Sequence, residues 1–164
     1  MADSVKIQFR NELIADFFAG TFGSSHKSTV KISRSNDIGK FVYSLVKYSD
    51  FPLPPFSKSA EHYIVIDAIL PDNVFNTADS HYIYFTKEDQ QRINDYVTAY
   101  FNQEIRAYLI MGQELKLLQK DIIEIFMANY HLDPVKHSGL IKKDYRWRMK
   151  VKEKISQIAK AYGM

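Results

Sequence analysis

Apolar and polar residues alternate through Val5-Lys6-Ile7-Gln8-Phe9-Arg10, the period of a strand with one buried face. Asn11, a residue type that caps helices, opens a predicted apolar helix over Glu12–Phe18. Gly20 and Gly23 are expected to end it, with Ser24, Ser25 and Ser28 in a polar loop. The pattern then partly returns. Val30-Lys31-Ile32 reads as a second strand, Ser35-Asn36-Asp37 as a cap, and Ile38–Tyr48 as a helix with apolar residues at 38, 41, 42, 45 and 46. Val5/Val30, Lys6/Lys31, Ile7/Ile32, Asn11/Asn36 and Glu12/Asp37 fall in register 25 residues apart. A spacing met once describes two similar strand–helix units, not a repeat array.

Pro52, Pro54 and Pro55 make Asp50–Ser59 a stiff extended connector, because proline fixes φ and removes a donor. Tyr63–Leu70 is a third strand, ended by Pro71-Asp72-Asn73, and His81–Phe85 a short fourth one. The chain then changes character. Thr86-Lys87-Glu88-Asp89 has a hydroxyl at the cap and a carboxylate three residues on, the start of a capping box. A long helix is predicted from there to about Met111, with Ile93, Val97, Tyr100, Phe101, Ile105, Tyr108 and Leu109 on one stripe and Gly112 as its break. Phe101 and Ile105 are therefore expected in the core. Gln119–Tyr130 follows as a helix burying Ile122, Ile123, Phe126, Met127 and Tyr130, stopped by Asp133-Pro134. A final helix spans about Lys142–Tyr162. Trp147, Val151, Ile155, Ile158 and Tyr162 line one face of it, and that face is expected to hold it against the body.

The predicted fold class is α+β, mostly helical: small N-terminal strand–helix units, then a C-terminal three-helix, helix-turn-helix-like region. A single domain over residues 1–164 is the leading organisation. The alternative is a mixed subdomain over 1–80 and a helical one over 81–164. At 46% apolar and 25% charged residues, disorder of the whole chain is not expected. The absence of cysteine excludes disulfides, thiolate metal sites and a cysteine nucleophile. No secretion signal and no apolar run near the ~20 residues of a membrane span is present, so a cytoplasmic protein without a membrane partner is expected.

Charge adds the main functional clue. Residues 131–164 hold nine Lys/Arg against three acids, whereas the remainder is slightly acidic, and the whole chain carries +3. Such asymmetry argues for an anionic partner at one end, against the plainer reading of a solvated helix face. The densest constellation is Lys142-Lys143-Asp144-Tyr145-Arg146-Trp147-Arg148-Met149-Lys150-Val151-Lys152-Glu153-Lys154. Lys142, Lys143, Arg146, Arg148, Lys150, Lys152 and Lys154 supply cations for phosphates, and the guanidinium groups suit bidentate bonds to phosphates or base edges. Two helices joined by a glycine-containing turn, the second basic, outline a helix-turn-helix, with Gln119–Tyr130 as the supporting helix. The connection from His131 to about Ile141 exceeds the usual 3–4 residues, which points to an irregular variant. Trp147 reads as a packing residue.

Other motifs carry less. Gly20-Thr21-Phe22-Gly23-Ser24-Ser25-His26-Lys27-Ser28 lacks the glycine that must precede the lysine of a P-loop, since His26 stands there. Gly20-Thr21-Phe22-Gly23 also fits the GXXG loop of KH domains, a pattern short enough to arise by chance. Both are read as a surface turn. His131, Asp133 and His137 are read as a solvated loop, not a metal site; Asp67 as an outward-facing strand residue; Glu88 and Asp89 as helix N-terminal acids. No catalytic constellation and no cofactor site is found, so an enzyme is not expected.

Tyr82–Asp89, Gln119–Phe126 and Leu140–Arg148 together resemble a family of uncharacterised proteins of Mu-like prophages and mobile elements of gut bacteria. The resemblance covers residues 82–154 and carries no catalytic residues. It implies a bacterial or phage setting and a role in DNA transactions or regulation. The reading that follows is a DNA-binding regulator or accessory protein of a mobile element. The alternative is a protein-interaction or phage structural protein, self-associating or partnered, whose basic helix is a docking face.

Overall fold

The structure, a computed structural model, describes residues 3–24, 28–53, 63–71, 82–137 and 139–164, with side chains left out at 3 and 141–145. The proline connector beyond Leu53, His26 and Lys27 of the glycine-rich turn, and His81 lie outside the described residues. The elements are β1 (Asp3–Phe9), α1 (Glu12–Thr21), β2 (Thr29–Lys31), α2 (Asp37–Leu45), β3 (Lys47–Ser49), β4 (Ile64–Leu70), β5 (Tyr82–Tyr84), α3 (Lys87–Glu114), α4 (Gln119–Asn129) and α5 (Leu140–Ala161). The fold is α+β and mostly helical, as its periodicities predict.

β4 is the central strand of a three-stranded sheet, with β1 antiparallel on one side and β2 parallel on the other. The alternation in β1 sets the register. Val5 opposes Ala68 and Ile7 opposes Ile66 on the buried face, while Lys6 opposes Asp67 outside and pairs with it at 3.4 Å. The two strand–helix units flank β4 on opposite edges, and their matching asparagines do the same work. Asn11 accepts from the amides of Leu13 and Ile14, and Asn36 from that of Gly39.

The outer edge of β1 is closed by α3 side chains. Gln90 accepts from the Gln8 amide and donates to the Lys6 carbonyl, both at 3.0 Å. Asn94 donates to the Gln8 carbonyl at 2.7 Å and accepts from the Arg10 amide at 3.2 Å. Two carboxamides thus bond this edge as a neighbouring strand would, leaving fewer backbone groups to recruit another chain.

The stripe of α3 buries Ile93, Val97, Phe101, Ile105 and Leu109 against α1, α2 and α4. Phe17 of α1 sits among Phe101, Phe126 and Tyr130, with centroid distances of 5.1, 6.2 and 4.7 Å. Two glycines read as helix ends are instead inside helices at close crossings. A Cβ on Gly20 would lie 2.0 Å from the Tyr130 carbonyl oxygen, and one on Gly112 2.4 Å from Ile122. α1 and α3 therefore continue past them, to Thr21 and Glu114. A third correction concerns the helix predicted to Tyr48. It ends at Leu45, and Lys47–Ser49 turns out as a strand paired antiparallel with β5.

The capping box is present: Thr86 and Asp89 exchange side chain-to-backbone bonds. Asp89 is more than an N-terminal acid, because its carboxylate is buried and pairs with Lys47. Burial acts to raise its pKa, but the Lys47 ammonium and the Thr86 bonds outweigh it and hold the carboxyl below its ordinary value. A depressed carboxylate contributes stability that is complete above the unfolded value and is lost as pH falls through the folded one. Melting temperature is therefore expected to fall in buffers below about pH 4, and Asp89→Asn to flatten that acid limb. An acid limb unchanged in Asp89→Asn counts against this role.

Candidate nucleic-acid interface on the C-terminal helix

No proline or glycine interrupts residues 140–162, and Lys, Arg, Met, Gln and Ala favour helix, so α5 runs unbroken until Gly163 at φ 71°. Its start lacks a side-chain cap, since Gly139 occupies that position. The connection ahead of it supplies the fixation. His137 faces Asp16 of α1, its ring Nε2 2.8 Å from the carboxylate, and both residues are buried. Lys136 pairs with Glu12 and lies 3.6 Å from Asp16. The Glu12 bond raises the Lys136 pKa, burial opposes this, and Asp16 adds to the rise. Nearby, Tyr130 donates to Glu104 at 2.7 Å. Burial and then that bond push its phenol far above the usual range, so it remains a donor. His137 is therefore a core histidine, not part of a solvated loop, while His131 and Asp133 stay exposed. Among the described residues no group of three or more His, Asp or Glu is placed to hold a metal ion.

Beyond this clamp α5 behaves differently from its pattern. Leu140 is buried and Trp147 half-buried against the core, with Arg106 stacked 5.3 Å from the indole. Val151 is half-buried too, but the predicted packing stripe beyond it is not covered. Ile155, Ile158 and Tyr162 are 61%, 57% and 77% exposed. The stripe is real as a pattern, but no described part of this chain lies over its second half.

The basic residues divide by their place around the helix. At about 100° per residue, Arg148 and Lys152 follow one edge of the stripe, and Arg146 and Lys150 lie beyond the other, with Lys154 close to it. Arg146, Lys150, Lys152 and Lys154 are exposed. Arg148 is half-buried against α3, where the Gln113 amide, with its oxygen turned toward it, accepts from both terminal guanidinium nitrogens at 2.5 and 2.8 Å. Lys142 and Lys143 occupy the first turn of α5, and their side chains lie outside the described set. Ten residues, Tyr130–Gly139, separate α4 from α5, well beyond the usual turn of the helix-turn-helix.

A groove of about 550 Å³ opens between the last turns of α3 and the middle of α5. Leu109 and Trp147 are among its lining, as are Ile110, Val151 and Ile155. The α3 contribution was missed in the sequence, although a signal was there. Leu109-Ile110-Met111 is too wide an apolar run for one buried face, and Ile110 and Met111 are indeed exposed.

No described helix is long and apolar enough to cross a membrane. No protein-family model, curated protein or solved structure matches the chain.

Proposed function

We propose that this chain is a non-enzymatic, cytoplasmic DNA-binding protein, a regulator or accessory factor of a phage or mobile element, whose α5 cations fan around the helix to meet phosphates on both sides of a groove. The observation that carries the reading is the set of exposed cations Arg146, Lys150, Lys152 and Lys154 spread around a single uninterrupted helix, fastened at its start to a slightly acidic body. Arg148, engaged with Gln113, is the weaker member of the candidate set. The resemblance of residues 82–154 to prophage proteins supports the same setting.

Each phosphate contact releases counterions, so affinity should fall with salt by about 0.9 in log–log slope per contact. Anisotropy titrations of duplex and single-stranded DNA at several salt concentrations test this. Replacing Arg146, Lys150, Lys152 and Lys154 together by Gln should reduce the slope by about 3–4 and weaken all sequences alike. Absence of binding at low salt, or a quadruple variant that binds like the parent, overturns the proposal.

A second reading, a protein-docking helix, is favoured by one observation: the uncovered apolar stripe of α5 and the groove beside it.

A further inference from the structure

We infer that the α3–α5 groove receives an acidic amphipathic helix from a protein partner. This rests on the docking reading and names its site and the chemistry of its occupant. The walls come from two helices, Ile110 from α3 and Val151 and Ile155 from α5. A concave apolar trough suits the ridge of a third helix, which reaches in with side chains at i, i+3, i+4 and i+7. A bilayer instead takes up a convex apolar face.

Length gives the second constraint. The stripe continues out of the groove through Ile158 to Tyr162, both exposed. From Trp147 to Tyr162 it runs for about 22 Å at 1.5 Å per residue, or roughly four helical turns. Its residues step by 4, 4, 3 and 4, which keeps them within an arc of about 80° on a straight helix. A small molecule would cover the trough and leave the extension bare.

Charge decides the occupant. Arg148 and Lys152 line the groove on the α5 side, and Lys154 borders the stripe beyond it. Leu140–Ala161 holds eight basic residues and two acids. A second α5 laid on the first would bring like charges together at both edges. A helix with Glu or Asp beside its apolar ridge places opposite charges there, which favours encounter and register. Lys152 and Lys154 also belong to the DNA-contacting set, whereas Arg146 and Lys150 lie away from the groove and Ile155 carries no charge, so Arg146 and Lys150 for the one site and Ile155 for the other can be mutated separately.

Trp147 is the one tryptophan in the chain and lies in the groove, so its fluorescence reports occupancy. The probe is a synthetic amphipathic peptide of about 16 residues, with a Leu ridge and Glu flanks, compared with the same peptide carrying Lys flanks. The Glu peptide should shift Trp147 emission saturably, and the Lys peptide should not. Ile155→Glu should weaken the Glu peptide by about tenfold or more, the worth of one buried apolar side chain. Ile155 is exposed, so that variant should melt like the parent. Lys152→Glu provides a second variant with the same expectation. DNA titrations of Ile155→Ala, which changes no charge, should match the parent.

No response to the Glu peptide, or equal responses to both peptides, overturns the inference. So does a Trp147 shift produced only by anionic phosphatidylglycerol vesicles. A concentration-dependent dimer, abolished by Ile155→Glu, likewise overturns it and assigns the groove to a second copy. If peptides, vesicles and self-association all leave Trp147 unmoved, the docking reading itself fails.

Discussion

Truncating Phe101 to alanine is expected to lower stability by roughly 3–5 kcal/mol, the usual cost of removing a buried phenyl group whose surroundings cannot collapse. Phe101 is fully buried in the middle of α3. It meets Phe17 edge-on at 5.1 Å and Phe126 at 5.7 Å. Those rings belong to α1 and α4, so one cavity would loosen three helices together. Neighbouring rings are large and mutually wedged: Phe126 also contacts Tyr108 at 5.1 Å and Tyr130 at 4.9 Å. Chemical denaturation measures the effect, and a change under about 1 kcal/mol would remove Phe101 from the centre of the core. Phe101→Leu, which refills much of the volume, should recover a large part of the loss.

His137→Leu should cost on the order of 3 kcal/mol, because it removes a buried partner, 2.8 Å away, of a carboxylate held out of water. Asp16 is 4% exposed, and the half-exposed Lys136 ammonium lies farther from it than the imidazole does, at 3.6 Å. The double variant Asp16→Leu with His137→Leu should be more stable than the single one, since no buried charge is then stranded. Denaturation of both variants tests the coupling, and additive losses would mean that the two groups act independently. The same contact fastens the uncapped start of α5, so the single variant should also reduce protection of its first amides from hydrogen exchange.

Much of this architecture is legible along the chain because burial follows local periodicity. The stripes of α3 and α4 and the alternation of β1 each specify which face turns inward. Where the sequence misleads, tertiary contacts override local signals. Gly20 and Gly112 look like terminators, yet each is needed where two backbones or a backbone and Ile122 come close. Lys47-Tyr48-Ser49 has no strand signature, and it is extended because β5 pairs with it. Nothing local to His137 announces Asp16, which lies 121 residues earlier. At the candidate site the cations of α5 could be read directly from charge. Its apolar stripe is legible as a pattern, but the expected burial fails beyond Val151, because amphipathicity demands a covering surface without naming the molecule that supplies it.

The carboxamides that close the edge of β1 also impose an order of events during synthesis. Phe9 pairs with Ile64, and the edge bonds from α3 bridge 82 to 86 residues. A ribosome adding about 5–20 residues per second needs on the order of ten seconds to make that intervening stretch. The first strand, with Val5, Ile7 and Phe9, gains its sheet partner β4 only late in that interval and its edge cover only at the end of it. β1 is thus an apolar strand made well before the elements that cover it, and holdase chaperones have that interval in which to engage it.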